Sequence, residues 1–169
     1  TIERYSFLRR VCLRIGFCVR GFTGILKILR ELLPEDEVFE CDQSELAMLA
    51  PTADVLIPTI CPIPASIFAG GRLKLVQQYG VGLDSIDIET ATAVGVPVCN
   101  VPSVGTGNAE SVAELAIAHL LMLSRDIPEA IKKFKIKKVG APLGRCLWGS
   151  TVCIVGYSGV GEEIARRLQ

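Results

Sequence analysis

The sequence predicts an α/β fold: a flavodoxin-like parallel sheet with helices on both faces, followed by the opening of a second α/β unit. Two observations carry this. From Arg14 to Val101, five short apolar runs alternate with stretches of helical spacing, the pattern of parallel strands joined by helical crossovers. At the far end, Thr151 to Gln169 reads as a strand, a glycine turn and the start of a helix.

Arg14 to Val19 is the first strand. Apolar residues at 22, 25, 26, 29, 32 and 33 give a helix over Phe22 to Leu33, stopped by Pro34. Glu37 to Cys41 is the second strand, and Ser44 to Leu49 a short helix ended by Pro51. Ala53 to Pro58 is the third strand. Pro62 and Pro64 suit the first turn of a helix reaching Phe68. Leu73 to Gln77 is the fourth strand, Asp87 to Val94 a helix closed by Gly95, and Val96 to Val101 the fifth strand. Right-handed crossovers leave few topologies for five such strands, and the flavodoxin-like order is the one expected. A long helix over Asn108 to Phe134 follows, kinked or broken at Pro128. It is apolar on nearly every side from Val112 to Leu123, so burial is expected. Lys132 to Lys138 is a basic exposed stretch, and Gly140 to Gly144 is a linker. Val152 to Val155 is a last strand. These elements divide the chain into a tail at 1–13, a first domain at 14–104, and an interdomain helix with an incomplete second unit at 105–169.

Composition narrows the function classes. Half of the 169 residues are hydrophobic, and 18 basic residues balance 18 acidic ones. That balance gives no field to attract nucleic acid or an anionic membrane. No apolar stretch reaches a membrane span. The seven cysteines form no C-x-x-C pair, and one histidine leaves no zinc-ligand spacing. Cysteines within apolar runs behave as small hydrophobes, and a reducing compartment, cytoplasmic or organellar, is the simplest setting. Five arginines against one glutamate in the first twenty residues match either a transit peptide's end or a ragged terminus before the first strand.

Three stretches carry possible chemistry. In Gly156-Tyr157-Ser158-Gly159-Val160-Gly161, a glycine turn stands between a strand and a helix, where N–H groups and the helix dipole favour a phosphate. Its key positions are 156, 158 and 161, with serine in the middle, where a glycine usually lets backbone approach a pyrophosphate. The other reading is a plain strand-to-helix turn. In Gln77 to Asp87, Gly80 and Gly82 follow a strand's carboxyl end, where open α/β sheets bind ligands. Successive N–H groups there form a nest for a small carboxylate; alternatively this is a helix entry capped by Asp84 or Asp87. In Gly105 to Glu114, Asn108 is a plausible N-cap, with Glu110 and Glu114 at the positive helix end. His119, with no partner for a relay or a metal, reads as a packed core histidine. No nucleophile elbow is present.

Together and in this order, these stretches resemble the D-isomer-specific 2-hydroxyacid dehydrogenases, especially their phosphoglycerate dehydrogenase-like branch. The resemblance lies in LVQQYGVGLDSIDIETATAVGVPVCNVPSVGTGNAESVAELAIAHLLML and in LWGSTVCIVGYSGVGEEIARRL, covering Leu73 to Gln169 well and Arg14 to Arg72 loosely. It implies a substrate domain followed by a Rossmann nucleotide-binding domain, and hydride transfer between NAD or NADP and C2 of a 2-hydroxy or 2-oxo acid. It implies that Gly80, Val81, Gly82 and Asn108 serve the substrate, and that Gly156, Ser158, Gly159, Val160, Gly161 and Val112 serve the cofactor. It also implies a homodimer in the full-length form. The family's catalytic arginine, its acidic partner and its acid/base histidine fall downstream of the glycine loop, and His119 does not match that histidine. No catalytic residue is therefore expected in these 169 residues, and the chain alone is expected to be inactive. The alternative is a non-enzymatic remnant or scaffold with the same fold.

Overall fold

A computed structural model describes residues 12–169. The arginine-rich start, and with it the transit-peptide reading, lies outside the described residues. The described chain divides into two compact units, with the division between Val101 and Pro102.

In the first unit five parallel strands pair in the order β2-β1-β3-β4-β5. They are β1 (Arg14–Cys18), β2 (Glu37–Glu40), β3 (Val55–Pro58), β4 (Leu75–Gln77) and β5 (Val98–Cys99). This is the flavodoxin-like order. The register runs from Arg14 opposite Glu37 to Phe17 opposite Glu40, and from Ile15 opposite Val55 to Cys18 opposite Pro58. Side chains alternate between faces along each strand, so two apolar layers form. Ile15, Val38 and Val55 pack with Leu26 of helix α1 (Thr23–Leu32). Cys18, Leu56 and Val76 pack on the other face with Leu46, Ile67, Phe68 and Ala91. Gly16 is held small by its neighbours: a Cβ there would lie 3.0 Å from both Leu56 and Phe39 side chains.

At the amino ends of the strands Asp54 is buried. Its carboxylate accepts the Arg14 backbone N–H at 2.9 Å and pairs with Arg72 at 3.1 Å and Lys74 at 2.9 Å.

The second helix, α2 (Leu46–Leu49), ends just before Pro51, as expected, and a 3₁₀ turn, Ala50–Thr52, follows, whose first positions accept a residue without an N–H. The two prolines after β3 act differently from expectation. The segment after β3 is a 3₁₀ helix, Ala65–Gly70, that Pro64 precedes in extended conformation. Pro62 lies outside it because Ile63 bridges to Ile86 instead. Asp87 caps α3 (Ile88–Ala93) through Thr90 N–H at 2.8 Å, and Gly95 follows with φ +76°.

The second unit holds α4 (Asn108–Arg125), α5 (Ile127–Lys135) and α6 (Gly159–Leu168). The long helix breaks at Asp126, which takes a left-handed φ of 47°, and Pro128 sits in the first turn of α5 where its missing N–H is harmless. Burial of Val112 to Leu123 does not hold. Only Ala109 and Ala113 of α4 are buried, while Leu115, Leu121 and Leu123 are exposed, and so is His119. The reason is packing: α4 packs on α6, with Arg167 paired to Glu114 at 3.4 Å, and one neighbouring helix does not cover a helix that is apolar on nearly every side. Thr151 to Val155 forms no strand. A strand is defined by its ladder, and no other segment of this unit is a strand among the described residues. Trp148 is 94% exposed.

Candidate functional site

The loop after β4 is shaped by its carbonyls. Gly80 O accepts Val101 N–H at 3.0 Å, Val81 O accepts Asn100 Nδ2 at 2.7 Å, and Gly82 O accepts Gln78 Nε2 at 2.8 Å. A trans peptide sets its N–H opposite its C=O. Pinning three successive carbonyls therefore turns the N–H groups of Val81, Gly82 and Leu83 the other way, and none donates to an acceptor among the described residues. Neither Gly80 nor Gly82 is left-handed, so the outward N–H groups come from held carbonyls and not from the alternating backbone of a nest. A Cβ at Gly80 would meet nothing within 4 Å. The fold itself does not demand glycine there; the space stands open. At Gly82 a Cβ would lie 3.3 Å from the Asp84 carboxylate, the one acidic group placed on that loop.

Gln78 organises this loop. Its side chain, 5% exposed, donates to Thr59 O at 3.1 Å as well as to Gly82 O, and its Oε1 accepts Tyr79 N–H at 3.2 Å. The Tyr79 ring packs edge-on against Phe17, centroids 5.8 Å apart. Sequence reading overlooked Gln78 and Asn100. The available signal was a polar amide directly following an apolar strand, where a buried amide needs partners for all its groups.

In the second unit the turn before α6 is glycine-dependent at three places. Gly156 has φ +92°, open to glycine and costly for others. A Cβ at Gly161 would fall 2.2 Å from Gly156 O, and one at Gly159 would fall 2.8 Å from Ser103 Oγ. Ser158 is the N-cap residue, in extended backbone, and its hydroxyl caps none of the first-turn N–H groups. Those groups have no intrahelical acceptor, so the start of α6 offers N–H donors and a positive dipole end. The turn presents backbone donors, no side chain of its own at 156, 159 or 161, and a hydroxyl at 158 that caps nothing, with the Ser103 and Val104 side chains close to Gly159. Val160 is the second residue of α6 and is half-buried.

At α4 the expected cap shifts by one residue. Gly107, at φ +80°, is the N-cap, and Asn108 is the first helical residue. Thr106 Oγ1 takes the Asn108 N–H at 3.4 Å, which leaves the Asn108 side chain free of a capping role. Val112 lies one turn further and is exposed. Gly80, Val81 and Gly82 thus belong to the first unit, and Asn108, Val112 and the Gly156–Gly161 turn to the second.

These features can be set beside known proteins. The profile of the D-isomer specific 2-hydroxyacid dehydrogenase catalytic domain matches residues 25–167. The chain belongs to this family. Among its relatives, D-3-phosphoglycerate dehydrogenase of Mycobacterium leprae is 38% identical over 131 residues, 75% of this chain and 24% of that protein. Hydroxypyruvate reductase of Thermotoga maritima is 36% identical over 150 residues, 86% of this chain and 47% of that protein. The structure of the NADPH-dependent glyoxylate/hydroxypyruvate reductase of Sinorhizobium meliloti, in complex with NADP and malonate, superposes with a TM-score of 0.70 at 30% identity, covering 94% of this chain and 50% of that one. The chain thus spans between a quarter and a half of the length of these relatives. In this 2-hydroxyacid dehydrogenase family member no helix among the described residues is long and apolar enough to cross a membrane.

Proposed function

We propose that this chain supplies the substrate-carboxylate loop and the opening pyrophosphate turn of an NAD- or NADP-dependent oxidoreductase acting on 2-hydroxy and 2-oxo acids of the phosphoglycerate, glycerate/hydroxypyruvate or glyoxylate type. The observation that carries it is the trio of outward N–H groups at Val81, Gly82 and Leu83 beside the open space at Gly80. Three donors on one short loop hold a carboxylate by charge-assisted hydrogen bonds and fix the acid's orientation, leaving its C2 carbon free to react. Asn108, which has no capping role, is assigned to the substrate, and Val112, one turn on and exposed, to the cofactor. Residues 14–104 act as the substrate domain and residues 105–169 as an interdomain helix and the start of the nucleotide-binding domain.

The nicotinamide supplies or accepts the hydride when bound. The residues here bind and orient. Oxidation of an alcohol also needs a base for the hydroxyl proton; His119, exposed on α4, is not assigned that role, and the Asp84 carboxylate beside Gly82 is the nearest acidic group to the loop. In this reading residues 1–169 bind the acid and do not turn it over.

The test is a two-dimensional NMR titration of this chain with glyoxylate. Amide shifts centred on Val81, Gly82 and Leu83 are expected, with no NADH or NADPH oxidation in a parallel assay. Shifts spread evenly over the surface, or none at that loop, would overturn the carboxylate assignment; protein-dependent NAD(P)H oxidation would overturn the division of labour.

A further inference from the structure

Three thiols converge in the first unit. Cys18 closes β1 and is 1% exposed, Cys41 directly follows β2 and is 0% exposed, and Cys61 follows β3 and is 6% exposed; all three belong to one core layer. The other four described cysteines, at 12, 99, 146 and 153, are exposed. Among the described residues no group of His, Cys, Asp and Glu is placed to hold a metal ion.

The register decides which pair can react. Arg14 to Phe17 oppose Glu37 to Glu40 one for one, and Cys41 N–H continues that ladder by donating to Phe17 O at 3.1 Å. The next opposed position is Cys18 against Cys41. Opposed residues of neighbouring parallel strands project to the same face, with strands about 4.8 Å apart. That spacing falls inside the range of about 4.4–6.8 Å between Cα atoms that a disulfide spans. Cys61 has other company: its thiol donates to Gln43 Oε1 at 3.0 Å.

We infer that Cys18 and Cys41 form an oxidisable dithiol, converted by a peroxide into an intramolecular disulfide across β1 and β2. The atoms balance in two steps. The Cys41 thiolate attacks one peroxide oxygen, breaking the O–O bond and giving a sulfenic acid and hydroxide. The Cys18 sulfur then attacks the Cys41 sulfur, the S–O bond breaks, and the released hydroxyl leaves as water with the Cys18 proton. In sum two thiols are oxidised, one peroxide is reduced, and two waters form. The roles follow from their surroundings: the Cys18 thiol donates to Gly16 O at 3.6 Å, the neighbouring Cys41 thiol and burial push Cys18 up, and the neighbouring Cys18 thiol pulls Cys41 down against its own burial, so Cys41 is the member taken to ionise. In a reducing compartment such a bond is transient, which is the behaviour of a sensor and not of a structural staple.

The test uses the chain with the four exposed cysteines changed to serine, keeping Cys18, Cys41 and Cys61. Reduced protein is treated with hydrogen peroxide, alkylated under denaturing conditions, and cut with trypsin and a glutamate-specific protease. Fragments Ile15 to Arg20 and Cys41 to Glu45 then carry the two thiols separately from Cys61. The expected result is these two fragments joined, in protein that runs as a monomer, separated again by dithiothreitol, with the free-thiol titre lowered by two. The same digest of the unmutated chain gives the same junction and guards against misfolding of the variant. A junction between Cys41 and Cys61, a junction only between separate molecules, or full alkylation of Cys18 and Cys41 after peroxide overturns the inference.

Discussion

Gly161 shows how much one missing carbon decides. Its Cβ position lies 2.2 Å from the Gly156 carbonyl oxygen, a backbone atom that cannot swing aside. Gly161→Ala is therefore expected to cost about 1–3 kcal/mol in the second unit. Hydrogen exchange along α6 checks this: protection should fall there and stay unchanged in the first unit. Gln78 is the corresponding residue in the other unit, holding three backbone groups with one amide. Gln78→Leu keeps the bulk and strips the polar partners, at an expected cost of about 1–3 kcal/mol. A loss of the glyoxylate-induced shifts at Val81 to Leu83 that exceeds the loss in thermal stability would mark its positioning role. Neither residue's role was equally legible beforehand. Gly161 stood inside a motif whose spacing names it, whereas nothing local says that a glutamine will bond to residues 19 positions back and 4 ahead. His119 was misread for a related reason: helical periodicity gives its face, but what covers that face is set by distant chain.

Among elements, the amino ends of β1, β3 and β4 are joined by the carboxylate just before β3. The Arg14 N–H, Lys74 and Arg72 hold Asp54 at a pKa of about 2, against 3.8 for the free group, despite burial. A lowered folded-state pKa means the carboxylate stabilises the fold above about pH 4, and that this contribution drains away as pH falls from about 4 to about 2. Acid titration by circular dichroism should show this loss, and Asp54→Asn should remove it while lowering stability at neutral pH by about 2 kcal/mol. Strand order and helix positions could be read from apolar spacing and Pro/Gly punctuation, since both are local signals that the parallel topology respects. Strand ends could not. β5 was read as Val96 to Val101 but pairs only over Val98–Cys99, because the ladder ends where the neighbouring β4 ends. Thr151 to Val155 has strand composition and lacks a ladder altogether, which propensity alone does not reveal.

For the molecule as a whole, the two units differ in what they bury. The first has two apolar layers around a five-stranded sheet; the second has three helices, of which α5 has no buried residue. Protection against hydrogen exchange is expected to concentrate in β1, β3 and β4, with fast exchange through Thr151 to Val155 and α5. Limited proteolysis should cut first between residues 136 and 158. A chain in which both units exchanged at one common rate would contradict this.

Trp148 carries a consequence for anyone who follows this protein by light. It is the single tryptophan, it belongs to the second unit, and it is already surrounded by solvent. Its emission starts where denatured protein's emission ends, so a flat fluorescence trace says nothing about whether the sheet has melted. The useful chromophore is Tyr79, set edge-on against Phe17 on the candidate carboxylate loop. In near-ultraviolet dichroism, the part of the signal that Tyr79→Phe removes reports folding and ligand arrival at the place where both matter.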